Sequence, residues 1–277
     1  MRGKQLSSWP GLLCAAALLT ASLSTVCAAE EPLVHAVWAR PADSQSTTLQ
    51  YAAKKEGAWQ APTQLAVAAG LHLTPVIAAD RQGAVWIVWI ERQAEENVLR
   101  YAVLRKGKTE TGRVISANAG QEQSYAPAIV IDQQDLPWIA WSSVQEGQLA
   151  DVHVSHWLGT RWAKPLRVHE PNKTPDITPL LGLRHGKQLW LSWFGLSKEE
   201  DVYVRFTAEL HNGTWQTAPQ TAAAEATEAF IEQRTQIEPF PPQADGWLTG
   251  ALFTGLKHEI QSLSERFASF HTKENNK

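Results

Sequence analysis

The chain has 277 residues, a formal net charge of −3, 13 tryptophans and only two cysteines. A slightly acidic protein has no electrostatic reason to bind the phosphate backbone of a nucleic acid, so we predict no nucleic-acid partner. The length suits one large all-β domain or two smaller domains.

Residues 1–29 have the pattern of a secretory signal peptide. Arg2 and Lys4 give a basic start, and Gly11 to Leu23 form an apolar stretch that is too short for a membrane-spanning helix. Small residues follow it, so we predict cleavage before Ala29 or Glu30, and the mature chain then begins near Glu30. The mature protein is then expected to be periplasmic or extracellular, without a transmembrane segment.

Both cysteines, Cys14 and Cys27, lie inside this signal, so the mature protein is predicted to have no disulfide and no thiol nucleophile. Of the 25 basic residues two lie in the signal, which leaves 23 against 28 acidic residues. A lipoprotein anchor at Cys27 is the less favoured alternative, because Val26 occupies a position where such signals need a very small residue.

An internal repeat is the strongest pattern in the sequence, and it indicates a repeat architecture. Pairs of residues three apart, mostly tryptophans, recur at steps of 51, 52, 52 and 60 residues, and prolines recur 11 residues before four of the five pairs. The fully matching pairs are Trp86/Trp89, Trp138/Trp141 and Trp190/Trp193, with His35/Trp38 and Gly250/Phe253 in the outer units; the prolines are Pro75, Pro127, Pro179 and Pro239.

Each unit has the pattern of four short strands, as the second unit illustrates. A first strand begins at Pro75, a turn spans Asp80 to Gly83, and Val85 to Ile90 form the tryptophan strand. Leu99 to Val103 form the third strand, and the polar run Lys108 to Thr111 stands where the fourth strand of other units begins with tryptophan.

Repeated four-stranded units of about fifty residues predict an all-β fold, a β-propeller of about five four-stranded blades over residues 30–272. Residues three apart on a strand point to opposite faces, so Trp86 and Trp89 are expected to fill the two interfaces of one blade. The tryptophans are therefore predicted to be core residues rather than platforms for sugar stacking.

The repeat is irregular at both ends. The first unit would need its proline strand near Ser24, inside the signal, so one blade is incomplete and the ring closes with a missing strand or a rearranged seam. A four-bladed ring with an appended C-terminal hairpin is the second interpretation. Residues 221–236 hold an insertion rich in helix formers, so a short helix is predicted there.

The C-terminal segment is ambiguous, because Ile260, Leu263, Phe267 and Phe270 recur at helical spacing while the repeat calls for a strand. We favour strands. Residues 273–277 are predicted to be a disordered tail.

The units resemble the blades of sialidase-like, BNR-type propellers and of propeller lectins. The resemblance rests on the succession of turn, aromatic strand and a later Gly-x-x-Trp, to which Gly159 to Trp162 and Asn212 to Trp215 come nearest. The full Ser-x-Asp-x-Gly-x-x-Trp box and the Arg-Ile-Pro signature of sialidases are absent. The resemblance therefore implies a fold, and the catalytic residues of that family are not carried over.

Candidate binding residues lie where the loops that enter the proline strands meet the loops that follow the tryptophan strands. In a propeller these loops surround one mouth of the central channel, and ligands bind there. The repeat places at this mouth His72, Tyr125, Asp176 and Arg234, with Arg40, Glu91 and Arg92 on the companion loops.

No metal, cofactor or catalytic residue is predicted from the sequence. His153 and His156 would face opposite sides of a strand and could not share one ion. Asp80 and Asp132 fit turns better than catalysis.

The functional prediction is an exported, non-catalytic binding module of the cell envelope that recognises a glycan or a protein partner through the mouth. A divergent sialidase-like glycoside hydrolase is one alternative. A structural component of an envelope assembly is the other.

Overall fold

The computed structural model describes residues 34–43, 45–65, 67, 69–93, 96–114, 122–145, 147–197, 202–218 and 249–254. The predicted signal peptide (1–29), the predicted helical insertion (221–236), Arg234 and the predicted tail (273–277) lie outside these ranges. No helix in the part of the chain that is described is long and apolar enough to cross a membrane.

The described residues form seventeen strands and no helix. They are β1 (Val34–Pro41), β2 (Thr47–Lys55), β3 (Ala58–Trp59), β4 (Thr63–Gln64), β5 (Leu71–Ala79), β6 (Val85–Gln93), β7 (Glu96–Arg105), β8 (Lys108–Arg113), β9 (Glu122–Ile131), β10 (Pro137–Gln145), β11 (Asp151–His156), β12 (Leu166–Arg167), β13 (Asp176–Arg184), β14 (Gln188–Ser197), β15 (Val202–His211), β16 (Thr214–Ala218) and β17 (Thr249–Thr254).

These strands pair into four antiparallel sheets, one for each of the first four repeat units. Sheet 1 has the order β17-β1-β2-β3, with β4 also paired to β2, and sheet 2 has the order β5-β6-β7-β8. Sheet 3 runs β9-β10-β11-β12 and sheet 4 runs β13-β14-β15-β16. The first strands of successive sheets contact one another, so the sheets are arranged as propeller blades and the predicted fold is confirmed.

Apolar clusters between neighbouring sheets form the core. Trp89 belongs to the cluster between sheets 1 and 2, and Trp86 belongs to the cluster between sheets 2 and 3. The pair therefore fills the two faces of one sheet, as its spacing of three residues predicts. The equivalent tryptophans Trp38, Trp141 and Trp193 are also buried, at most 2% exposed.

The three repeat prolines in the described part of the chain, Pro75, Pro127 and Pro179, lie inside their strands, which corrects the prediction that they begin them; Pro239 lies outside the described residues. Strand β5 starts four residues before Pro75, and the pairing to β6 shifts between Leu73 and Val76. The residue before each of these three prolines has a positive φ: 45° at Thr74, 47° at Ala126 and 54° at Thr178. A β-bulge accommodates a residue without an N–H inside a sheet, so proline marks the bulge and not the strand end.

Sheet 1 obtains its first strand from the far end of the chain. Strand β17, which carries the fifth aromatic pair position, is antiparallel to β1, with Val37 opposite Ala251 and His35 opposite Phe253. The prediction gave the fifth unit a sheet of its own, with Phe253 on its second strand. Among the described residues this unit instead completes sheet 1, because β1 lacks its own inner neighbour and would otherwise expose an unpaired edge.

The turns between first and second strands have the structural role that was predicted for their aspartates. The Oδ1 atom of Asp80 accepts hydrogen bonds from the N–H groups of Gln82 and Ala84, at 3.0 and 2.8 Å. Asp132 makes the equivalent bonds in sheet 3. Arg81 then joins neighbouring turns, because its Nε lies 2.8 Å from Oδ1 of Asp135.

Candidate functional site

The opposite end of the sheets, where β5, β9 and β13 begin, is called the mouth end here. His72, Ser124 and Asp176 occupy equivalent positions on these three strands, each three residues before the repeat proline. The backbone of this region is tied to the third strand of the preceding sheet. The N–H of His72 donates to Thr47 Oγ1 at 2.8 Å, and the N–H of Asp176 donates to the carbonyl of Ala150 at 2.7 Å.

Sheets 1 and 2 bring together two of the predicted binding residues, and both are buried. His72 is paired with Glu91 across β5 and β6, and each side chain is about 1% exposed. The carboxylate of Glu91 lies 3.2 Å from Nη2 of Arg100, while Nδ1 of His72 lies 3.0 Å from the Thr47 hydroxyl. These contacts join strands and sheets, so these two residues stabilise the mouth end rather than present a ligand surface.

The other predicted residues are separate from this pair. Arg40 and Arg92 are exposed, and Arg92 Nε donates to the side chain of Asn97 at 3.1 Å. Tyr125 is 41% exposed on β9, opposite Ser142 of β10. Asp176 belongs to a cluster between sheets 3 and 4.

That cluster contains Asp151, His169 and Asp176, and we call it the Asp-His-Asp cluster. One ligand atom from each residue lies within 4.8 Å of the others. Nε2 of His169 is 3.5 Å from Oδ2 of Asp176 and 3.7 Å from Oδ1 of Asp151. Asp151 begins β11 and Asp176 begins β13, so the two carboxylates come from adjacent sheets.

One repeat tryptophan and one loop asparagine hold the carboxylate of Asp176 in place. The indole Nε1 of Trp193 donates to Oδ1 at 2.7 Å, and the side-chain amide of Asn172 donates to Oδ2 at 2.7 Å. Gly195 makes the space, since a Cβ atom there would lie 2.6 Å from Oδ1 of Asp176 and 2.7 Å from the ring of Phe206. Burial raises the pKa of Asp176, and the hydrogen bond from Asn172 opposes this effect.

His169 is oriented by its surroundings. Its ring stacks on Trp193 with centroids 5.7 Å apart, and its Nδ1 lies 3.0 Å from the carbonyl oxygen of Glu170. Because a carbonyl can only accept, Nδ1 carries a proton and Nε2 is directed towards the two carboxylates.

An open recess of about 160 Å³ adjoins the cluster at the mouth end of sheet 3. Asp151 connects the two, since its Oδ1 lies near His169 while its Oδ2 lies 3.2 Å from Nη1 of Arg167, a second lining residue. The hydroxyl of Ser143 is 2.9 Å from Nδ1 of His153 in the same wall. The lining residues are Ser143, Gln145, Gln148, Leu149, Asp151, His153 and Arg167.

The sequence interpretation missed Asp151, His169 and Arg167. Asp151 begins the third strand of sheet 3, Arg167 lies on the fourth strand, and His169 lies in the connection that follows. The repeat has no constant residue at any of these positions. Only the position of Asp151 at the start of a third strand could have indicated its place at the mouth end. His153 and His156 do face opposite sides, as predicted, since His153 stacks on Trp141 and His156 stacks on Trp138.

No protein-family model matches the chain, and no curated protein sequence matches it. Several solved structures are similar in fold. A Hadza microbial sialidase is 12% identical, with a TM-score of 0.42 over 63% of this chain and 45% of its own. A protein of unknown function from Dyadobacter fermentans is 11% identical, with a TM-score of 0.47 over 62% of this chain and 58% of its own.

An α-L-arabinanase of Penicillium chrysogenum, complexed with arabinobiose, is 9% identical, with a TM-score of 0.46 over 69% of this chain and 73% of its own. This chain thus spans about half the length of the first two matching structures. At these identities and TM-scores, function has to be argued from the residues of this chain.

Proposed function

We propose that this chain is an exported, non-catalytic β-propeller that binds a glycan through the recess at the mouth end of sheet 3. The observation that carries the proposal is the chemistry of the lining: a carboxylate, a guanidinium, an imidazole, two amides and a hydroxyl around one small open volume. Such groups donate and accept hydrogen bonds in directions that suit the hydroxyl groups of a sugar.

The size of the recess favours a single sugar residue as the bound unit. Its volume of about 160 Å³ is below the roughly 300 Å³ at which sites for larger organic ligands begin. Leu149, which is 51% exposed at the rim, offers an apolar contact to the C–H face of a ring. A protein partner would be expected to need a larger apolar surface than this recess supplies.

Binding is favoured over catalysis because, of the carboxylates of Asp151 and Asp176, the second is inaccessible to a substrate. Asp176 is 2% exposed, and both of its oxygens accept hydrogen bonds, from Trp193 and Asn172. A substrate atom could not reach it without displacing one of these donors.

Export is proposed from the sequence pattern of residues 1–29, and a cell-envelope or extracellular glycan is the ligand that an exported protein meets.

A glycan microarray followed by calorimetry on each positive glycan tests the proposal, with Arg167→Gln as the variant. We expect at least one glycan to bind wild type and to bind Arg167→Gln at least ten-fold more weakly. Arg161→Gln is the matched control, because Arg161 is exposed at the turn between β11 and β12 in the same sheet. No binding on the array, or equal losses in the two variants, contradicts the proposal.

A divergent glycoside hydrolase is the second candidate, favoured by the approach of Asp151 and Asp176. The oxygens concerned lie within 4.8 Å of each other, close to the roughly 5 Å separation found in retaining glycosidases. Release of a chromophore from aryl glycosides by wild type, abolished in Asp151→Asn, would establish this function. Absence of turnover with aryl pyranosides and aryl furanosides would rule out hydrolase activity.

A further inference from the structure

We propose that Asp151, His169 and Asp176 bind a divalent cation, for which Zn²⁺ is the best match. The proposal does not depend on glycan binding. Two carboxylates and one imidazole form a donor set suited to a first-row divalent ion. The site would lie between sheets 3 and 4 at the mouth end.

Two of the three separations between donor atoms match one central ion, and the third, between the two carboxylate oxygens, is at most 4.8 Å. His169 Nε2 lies 3.5 Å from the Asp176 oxygen and 3.7 Å from the Asp151 oxygen. Two ligands at about 2.1 Å from a tetrahedral ion lie roughly 3.4 to 3.5 Å apart. The same separations are too long for good N–H···O hydrogen bonds, which have a mode near 2.9 to 3.0 Å.

The orientation of His169 is an independent indication that a positive charge belongs between these atoms. Its Nδ1 is the donor to the carbonyl of Glu170, and its Nε2 accepts a long contact from the N–H of Val152, at 3.4 Å. Nε2 therefore carries no proton, although it lies 3.5 and 3.7 Å from oxygens of Asp176 and Asp151. The side chain of His169 is 7% exposed, so bulk water cannot screen this arrangement.

The contacts outside the cluster are those that orient metal ligands. A ligating histidine usually donates its other N–H to a carbonyl, as His169 does to Glu170. Asp151 accepts from Arg167 on its other oxygen. Asp176 accepts from Trp193 on its other oxygen, and the proposed ligand oxygen Oδ2 also accepts from the Asn172 amide at 2.7 Å. His169 and Asp151 are therefore each held through one polar atom while the other lies in the cluster, and Oδ2 of Asp176 would bind the ion while it still accepts from Asn172, since a carboxylate oxygen has two lone pairs.

Access is from the side of the recess. Asp151 lines the recess and is 21% exposed, whereas the other two ligands are more deeply buried. Three protein ligands leave the fourth position of a tetrahedral ion for water or a ligand oxygen.

The test uses the full chain, stripped with EDTA, dialysed and then titrated with ZnCl₂, while thermal unfolding and zinc content are measured. At about a hundred times the dissociation constant, we expect the Tm of wild type to rise by roughly 5 to 10 °C, with one zinc per chain. His169→Gln and Asp151→Asn should lose both effects. His211→Gln, at an exposed histidine of β15, is the matched control and should retain them.

Equal Tm shifts in wild type and His169→Gln would show that zinc binds elsewhere and would overturn the proposal. The competing arrangement is an imidazolium of His169 between the carboxylates. In that case ZnCl₂ and EDTA both leave the Tm of wild type unchanged while His169→Gln lowers it, which also overturns the proposal. Neither outcome affects the glycan experiment, which measures how far Arg167→Gln weakens glycan binding.

Discussion

Trp193 donates a hydrogen bond from its indole Nε1 to Oδ1 of Asp176 over 2.7 Å. The donor is a tryptophan of the repeat, and the acceptor is a variable residue of the mouth end, 17 positions earlier. In sheet 2 the equivalent pair is Trp89 and His72, whose rings meet edge to face with centroids 6.1 Å apart. In these two sheets a constant buried aromatic thus contacts a different polar side chain.

Gly195→Ala tests this arrangement, since the new Cβ would overlap both the Asp176 carboxylate and the Phe206 ring. We expect a loss of about 1 to 3 kcal/mol in the free energy of unfolding, as for other overpacked sites. Urea denaturation monitored by tryptophan fluorescence measures it.

Gly70→Ala is the control, because a Cβ there would meet its nearest neighbours at 3.6 Å, an ordinary contact. Its stability should remain within about 0.5 kcal/mol of wild type. If both variants are equally stable, Gly195 is not required to make room for Asp176.

Trp141→Ala tests the core role of the repeat tryptophans. Trp141 is fully buried between sheets 2 and 3, so we expect a loss of about 3 to 5 kcal/mol from the cavity that its removal leaves. Thermal melts by circular dichroism measure the effect. Tyr203→Ala, at a residue 50% exposed, is the control and should change the midpoint little, whereas an unchanged midpoint for Trp141→Ala would contradict the core assignment.

The stability of sheet 1 should depend on pH through His35. Burial lowers the pKa of His35 from 6.5 to about 4, and its Nδ1 lies 2.8 Å from the Tyr51 hydroxyl. Below pH 6.5 the unfolded chain binds a proton at His35 that the folded chain excludes. The contribution of neutral His35 to the free energy of unfolding is therefore complete above pH 6.5 and is lost as the pH falls towards 4. The loss amounts to up to about 3 kcal/mol.

Urea denaturation at pH 7.5 and pH 4.5 measures this change in wild type and in His35→Phe. We expect the variant to lose less stability than wild type between the two pH values, because it has no group to protonate there. Equal losses in the two proteins would show that other groups cause the acid sensitivity.

The pairing of β17 with β1 predicts that Ala251→Pro destabilises sheet 1. Ala251 lies opposite Val37, within the ladder that joins the two strands. Proline removes a backbone donor and is poorly tolerated between paired strands. We expect a lower Tm and faster hydrogen exchange of the β1 amides, measured by mass spectrometry, and unchanged exchange in β1 would contradict this pairing.

The sequence was informative where the repeat is regular. Spacing alone located the tryptophan strands and their two buried faces, because a strand alternates strictly between faces. It misplaced the prolines, since a bulge and a strand start both tolerate a missing N–H. It could not assign β17 to sheet 1, because pairing between chain ends leaves no local pattern.

The candidate site was only partly predictable for a related reason. The alignment of the repeat units placed Asp176 at the mouth end correctly. His72 and Glu91 also lie at this end, but their side chains are buried and contact neighbouring strands. Asp151, His169 and Arg167 come from two strands and a connection, and only the packing of sheet 4 on sheet 3 brings them to Asp176. Such convergence depends on tertiary structure, which the spacing within one chain does not encode.

A crystal structure of the protein with the tightest-binding array glycan shows directly whether the recess is the binding site. We predict electron density for one sugar residue in the recess, with hydroxyl groups within hydrogen-bonding distance of Asp151 and Arg167. Density at the opposite end, beside the turns joined by Arg81 and Asp135, would contradict it, as would a sugar bound only on the outer surface of a sheet.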